Sequence, residues 1–403
     1  MGRTLNITLF FACLLLAFII EVQAQSTSFD VTKYGAKADG SDISEALLSA
    51  WKEACNSTTP STVVVPQGTF SLIQATLTGP CKAPIELRVQ GTIKAPEDPS
   101  LIKEGEWVNV QYLDQFTLSG GGTFDGQGAK SWGQNDCAKT KVCSKLPNNF
   151  SFGFLNNSIV RDVTSLNSKL FHVNVLECNN ITFSHFTITA PETSLNTDGI
   201  HIGRSNGVNV TDSTIGTGDD CVSIGDGAKQ VSVTGVTCGP GHGISVGSLG
   251  RFENEQPVVG IFVRNCTLIS TQNGVRVKTW PASKTGSATD MHFDDIILQN
   301  VSNPIVIDQE YCPWNQCTLD SPSRVKISKV SFNNVKGSSA TPLAVKLVCS
   351  KSLPCEGVQI GDIDLVYTGT QGNMTSDCAN VEPTFMGKQN PPICVKNGTA
   401  QSS

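Results

Sequence analysis

The stretch ITFSHFTI, beginning at Ile181, decides the fold, because its pattern returns as VNVTDSTI at Val208, VSVTGVTC at Val231, IFVRNCTL at Ile261 and MHFDDIIL at Met291. VKISKVSF from Val325 and VQIGDIDL from Val358 continue it, and SIVRDVTS from Ser158 is a weaker copy upstream. Each unit is apolar at its first, third and eighth positions and often at its sixth; from Ile181 onward the intervals are 27, 23, 30, 30, 34 and 33 residues. Alternation of this kind is the period of a strand with one face inside. Units of such length, rich in β-branched residues and without helical periodicity, suit one coil of a right-handed parallel β-helix. A coil cannot bury its own apolar face, so neighbours must stack. Leucine-rich repeats would need a consensus that is absent, and propeller blades would need hairpins at a longer, steadier spacing.

A second strand recurs in the same units: Ile200-His201-Ile202, Val222-Ser223-Ile224, Ile244-Ser245-Val246, Val275-Arg276-Val277 and Ile305-Val306-Ile307. In a parallel stack, residues of equal register lie above one another at roughly 4.8 Å per coil. Two residues before the first four of these strands stand Asp198, Asp220, His242 and Asn273. The register therefore predicts an Asp-Asp-His ladder along the axis. Segment Asp42 to Cys55, with Ile43, Ala46, Leu47, Ala50 and Trp51 at helical spacing, is expected to form a short N-terminal helix capping the first coil. From about Tyr367 the tail, with Cys378, Pro391, Pro392 and Cys394, reads as a loop stapled over the other end.

Composition agrees with an all-β chain. Charged residues make up 16% of the 403 positions, against about a quarter in ordinary domains, and there are 37 glycines. The net charge of −6 argues against a general nucleic-acid binder or a basic membrane-surface protein. Arg3 followed by the apolar run Leu9 to Ile20 and by Val22-Gln23-Ala24 reads as a signal peptide over residues 1–24. Residues 25–403 are then expected to be one secreted β-helix domain, monomeric and without a membrane span. Of 15 cysteines, Cys13 leaves with the leader and an even number remains for an oxidising compartment. Cys137/Cys143, Cys221/Cys238, Cys312/Cys317, Cys349/Cys355 and Cys378/Cys394 are close in sequence, although spacing does not fix connectivity. Cys178 and Cys266 fall inside apolar strands and read as buried thiols. Zinc would need paired cysteines or nearby histidines in a spacing that is absent. Sequons at Asn56, Asn149, Asn156, Asn180, Asn209, Asn265, Asn300, Asn373 and Asn397 offer glycosylation sites.

Asn196-Thr197-Asp198-Gly199, Gly218-Asp219-Asp220-Cys221, Gly241-His242-Gly243 and Arg276-Val277-Lys278 share one edge of one face in this register. Singly, each is an ordinary turn, loop or wetted strand. Together they stack like carboxylates, which costs energy that a purely structural solution avoids. Clustered carboxylates with a histidine suit glycoside hydrolysis, which needs one protonated acid at the leaving oxygen and one carboxylate to activate water. Mutual repulsion supplies the raised pKa. Asp219 and Asp220 are adjacent, so a bend must bring both to the site, and Gly218 is a candidate for it. Arg276 and Lys278 alternate with Val275 and Val277 and project outward, where a sugar acid would suit them.

In this order the motifs resemble the polygalacturonases of glycoside hydrolase family 28. The similarity runs from Phe29-Asp30-Val31-Thr32-Lys33-Tyr34-Gly35-Ala36 to Asn390-Pro391-Pro392. It is strongest toward the pollen-type exopolygalacturonases of plants, through Ser119-Gly120-Gly121-Gly122-Thr123-Phe124-Asp125-Gly126-Gln127-Gly128, Gly241-His242-Gly243-Ile244-Ser245-Val246-Gly247-Ser248 and Ile307-Asp308-Gln309-Glu310-Tyr311-Cys312-Pro313-Trp314. The resemblance implies metal-free hydrolysis of α-1,4-galacturonosyl bonds of pectin with inversion, in the plant cell wall. It implies Asp219 as general acid, Asp198 and Asp220 as activators of water, and His242 as the group that tunes the acid. Arg276 and Lys278 would grip the substrate carboxylate, Asn196 and Tyr311 would complete the site, and Cys221 would pair with Cys238. An inverting enzyme would place Asp219 roughly 6.5–9.5 Å from one base. Exo action from the non-reducing end is implied by the same resemblance, with endo action as the alternative. The segments Gln134 to Asn148, Leu249 to Pro257 and Pro313 to Ser323 are candidates to block the cleft. More distant alternatives are a rhamnogalacturonan hydrolase, a calcium-dependent pectate lyase and an inactive β-helix binding protein.

Overall fold

Inward-facing pairs of aliphatic side chains generate the architecture. Ile200 and Ile202, Val222 and Ile224, Ile244 and Val246, Val275 and Val277, and Ile305 and Ile307 are all fully buried. In the computed structural model, which describes residues 26–394 apart from 104, 136–144, 316 and 368, they stack in the expected register as part of an 11-stranded parallel sheet. That sheet runs from Ala75–Thr78 to Thr375–Ala379. The apolar positions of the repeat build the opposing parallel wall, and Ser158, Ile181, Val208, Val231, Ile261 and Met291 lie in successive register. The two walls wind into a parallel β-helix whose right hand follows from strand twist.

One repeat is displaced from its expected place. Met291 pairs with Val330 and not with Val325, and Val330 in turn pairs with Val358. The strand Val325–Ser339 buries Val325 and Ile327 and then Val330 and Phe332, so apolar pattern alone does not choose between its two pairs. Backbone conformation does. The fifth residue of each unit (Asp162, His185, Asp212, Gly235, Asn265, Asp295, Asn334 and Asp362) has positive φ. The residue before each unit has positive φ as well, and only a count from Val330 puts such residues at both corners, Lys329 and Asn334.

The helix forms over Ser44–Asn56 and buries Leu47, Ala50 and Trp51 against the first coils. The Trp51 ring meets Phe116 edge-on at 6.1 Å. The tail differs from expectation: Thr375–Ala379 and Thr384–Asn390 are strands that continue both walls, pairing with Leu343–Val348 and Glu356–Tyr367. The Cys378–Cys394 disulfide staples this last coil as proposed. Cys221–Cys238, Cys312–Cys317 and Cys349–Cys355 also form, and so does Cys55–Cys81, a pair that sequence proximity did not single out. Cys178 and Cys266 are buried free thiols. The leader over 1–24, Cys137, Cys143 and the sequon at Asn397 lie outside the described residues. The sequon at Asn149 is buried, its amide donating to Ser165 Oγ at 2.9 Å, which closes it to glycosylation in the folded chain. Among the described residues no helix is long and apolar enough to cross a membrane.

Candidate active site

The two adjacent aspartates reach one site through a β-bulge. Asp220 pairs with Gly243 and Val222 with Ile244, so the Asp220–Ile224 strand carries one extra residue, Cys221. Its sulfur is turned inward to Cys238. Gly218 serves a different purpose from the bend expected of it. A Cβ there would stand 1.9 Å from the Ser194 carbonyl oxygen, so glycine allows this turn to lie directly against the segment that carries Asn196 and Asp198.

The bulge also shifts the ladder. His242 meets Asp219 and not Asp220: its backbone N–H donates to the Asp219 carbonyl at 2.7 Å, and its Nδ1 lies 2.9 Å from Asp219 Oδ1. Asn196 donates from Nδ2 to Asp219 Oδ2 at 3.2 Å, and the Asp220 N–H donates to Asp219 Oδ1 at 2.8 Å. Asp219 and His242 are half-buried and line a cleft of about 590 Å³ together with Asn196, Asn273, Arg276 and Tyr311.

Asp220 lies beneath this surface, 1% exposed. Arg276 Nη2 donates to its Oδ1 and Lys278 Nζ to its Oδ2, each at 2.8 Å, and Ser245 Oγ donates to Oδ1 at 2.9 Å. Burial opposes its charge, but Lys278 and Arg276 outweigh burial and hold the carboxyl down at about 2. Arg276 and Lys278 do point outward from their strand, yet they are only 8% and 6% exposed and both are engaged by Asp220. The Tyr311 ring covers them, 5.2 Å from Lys278 Nζ and 5.9 Å from Arg276 Cζ, and is itself braced edge-on by Trp280.

Asp198, one coil earlier, has the opposite electrostatics. Burial first, then the charges of Asp219 and Asp220, push its carboxyl well above the usual range. A bond from Ser223 and the charge of Lys278 offset this only in part. Ser223 Oγ also contacts His201 Nδ1 at 2.8 Å, and burial holds that imidazole down at about 4, so it is neutral. The site thus sets a clamped carboxylate and a proton-retaining carboxyl beside the open Asp219, which is the pattern that separates acid from base roles.

All eight side chains singled out in the sequence converge here. Sequence reasoning passed over Ser223 and Ser245, although they stand in register with His201 and Arg276 and are the polar rungs beneath the acids. It also passed over Asn135, which reaches the site from a distant loop. Asp219, Asp220 and His242 bring ligand-type atoms within 4.8 Å of one another. Both Asp220 oxygens are already taken by protein cations, so this donor set does not fit a metal.

Residues 55–390 match the sequence model of the family described as glycosyl hydrolases family 28. A polygalacturonase of Nicotiana tabacum is 58% identical over 392 residues, covering 97% of this chain and 98% of that protein. An exopolygalacturonase of Oenothera organensis is 58% identical over 354 residues, covering 88% and 98% respectively. Among solved structures, an exopolygalacturonase from Thermotoga maritima shares the fold, with a TM-score of 0.74 at 20% identity over 91% of this chain and 93% of that one. A match over most of the chain, with such close relatives along its length, places the protein in glycosyl hydrolases family 28.

Proposed function

We propose that the protein hydrolyses the α-1,4-galacturonosyl bonds of polygalacturonate, acting from the non-reducing end with inversion. The mature chain, residues 25–403, would work as one monomeric β-helix outside the cell, on cell-wall pectin. The names of the tobacco and Oenothera relatives support the substrate, and that of the Oenothera relative supports the exo mode. The observation that carries the mechanism is the clamping of Asp220 as a carboxylate by Arg276 and Lys278, next to Asp219 and to an Asp198 that retains its proton.

Asp219 is the carboxyl open to the cleft, and it donates the proton to the departing glycosidic oxygen. His242 and Asn196 hold it in place and stabilise the carboxylate left behind. Asp198 and Asp220 form the buried side that orients and deprotonates the attacking water. Arg276 and Lys278 keep Asp220 ionised and supply the positive field that draws a uronate carboxylate to the site. Tyr311 closes over them. The nearest Asp219 and Asp220 atoms are within 4.8 Å, closer than the roughly 6.5–9.5 Å usual for inversion. Asp220, held ionised by Lys278 and Arg276, is the group able to take a proton from the water, and Asp198, which retains its own, orients that water.

Asp219→Asn tests this reading. Reducing-sugar release from polygalacturonate should fall by roughly 10²- to 10⁴-fold while the melting curve holds or rises. Unaltered turnover would refute the acid assignment. With the parent protein, proton NMR of the first product should show the β-anomer of monomeric galacturonate. A first-formed α-anomer would overturn inversion, and mixed oligomers would overturn exo action.

A further inference from the structure

Asn135 lies 61 positions before Asn196, yet its Nδ2 donates to Asn196 Oδ1 at 2.9 Å. It is 3% exposed. The same nitrogen donates to the Leu195 carbonyl at 3.3 Å, and its backbone N–H donates to the Trp132 carbonyl at 3.2 Å. The short helix Ala129–Trp132 that precedes it is tied to the coil below through Trp132 Nε1, which donates to the Ser168 carbonyl at 2.9 Å. A buried amide is thus delivered from another coil to one atom of one cleft residue.

The consequence lies in the asymmetry of an amide group. Asn196 has an oxygen at one corner and an NH₂ at the other, and a half-turn exchanges them. With Oδ1 held by Asn135, Nδ2 must face Asp219, where it donates at 3.2 Å. Turned over, it would set an oxygen against the carboxylate and repel it. We propose that Asn135 is a positioning residue for proton transfer: it fixes the orientation of the Asn196 amide so that an N–H, and never the carbonyl, meets Asp219.

A hydrogen bond donated to a carboxylate favours the ionised form. It therefore helps Asp219 release its proton as the bond to the leaving oxygen breaks. The other charged or titratable groups facing Asp219 are His242, whose Nδ1 contacts Oδ1, the neighbouring Asp220, and Asp198 on the preceding coil. Arg276 and Lys278 are engaged by Asp220. Among the described residues, Asn196 alone supplies a neutral, reversible donor to Oδ2, and Asn135 decides which way it points.

This rests on the acid role given to Asp219, and Asp219→Asn measured alongside separates the two. Asn135→Asp keeps the shape but removes the donor, and Asn135→Ala removes the side chain. In either variant kcat on polygalacturonate should fall about tenfold, the size of one charge-assisted bond, with KM changed less than twofold. The alkaline limb of the pH–rate profile should move to higher pH, and Asn135→Asp should lose at least as much as Asn135→Ala. A merely structural asparagine would lower the melting temperature without moving that limb. An Asn135→Asp protein with unchanged kcat and an unmoved limb, beside an inactive Asp219→Asn, would overturn the inference alone. Loss of a cooperative melt in both Asn135 variants would overturn it too, by assigning the residue to the fold.

Discussion

Lys278 Nζ lies 2.8 Å from Asp220 Oδ2 in a contact nearly closed to solvent, 58 residues apart in sequence but two coils apart in space. Together with Arg276 on the other oxygen, it makes Asp220 a permanently charged group in a place where an unpaired carboxylate could not stay ionised. The cations that the sequence offers to the substrate are thus first used by the protein.

Removing one of them exposes that dependence. Lys278→Met keeps the length of the side chain and leaves Asp220 buried with Arg276 alone. Breaking a buried pair from one side costs about 3 kcal/mol, which urea unfolding will register as a lower midpoint at unchanged slope. The ratio kcat/KM should fall by roughly 100-fold, because the field of the site collapses with it. An unaltered midpoint would mean that Arg276 suffices.

The stack was legible in the sequence wherever period and conformation agreed. Ile200, Val222, Ile244, Val275 and Ile305 stand where spacing put them, because alternate aliphatic residues in successive coils admit one register. Two features lay beyond apolar periodicity. Val325 and Val330 both fit the pattern, and the choice was made by two positive-φ corners, Lys329 before the unit and Asn334 within it. His242 sits against Asp219 because a bulge at Cys221 slips the ladder by one, and a bulge leaves no mark on hydrophobic alternation. The burial of Arg276 and Lys278 was equally hidden, since it depends on Tyr311 arriving from a later coil.

Glu106 predicts how stability follows pH. It stands in register with Asn148 on the outer face of the site's sheet, and Asn148 Nδ2 donates to its Oε2 at 2.9 Å. Burial outweighs that bond and pushes its carboxyl up to about 7. A raised carboxyl binds its proton more tightly in the folded chain than in the unfolded one. Its stabilising contribution is therefore complete below about pH 4.5 and is lost as pH rises through 7. Glu106→Gln, which keeps an acceptor for Asn148, should match the parent at pH 4 and exceed it by about 2 kcal/mol at pH 8.5. Denaturant midpoints across that range check it, and parallel curves at both ends would show that the carboxyl titrates normally.

The Cys221–Cys238 bond should matter to turnover as well as to stability, and a matched control distinguishes the two effects. It closes a separation of 17 residues, while Cys378–Cys394 closes 16 in the last coil, far along the axis from the acids. Chain-entropy reasoning gives both about 3 kcal/mol, so replacing either pair with alanines should lower the denaturation midpoint by a similar amount. Only Cys221 is the extra residue of the bulge, and its inward tether sets where Asp219 and Asp220 emerge. Without it the strand is free to take the regular pairing, which would turn one of the two aspartates away from the cleft. Cys221→Ala with Cys238→Ala should therefore cut kcat by roughly tenfold or more, since displacements of about 1 Å in a catalytic group are that costly. Cys378→Ala with Cys394→Ala should leave kcat within twofold, measured at a temperature where both variants remain folded. Equal losses of kcat in the two variants would mean that the bulge is held by its hydrogen bonds alone.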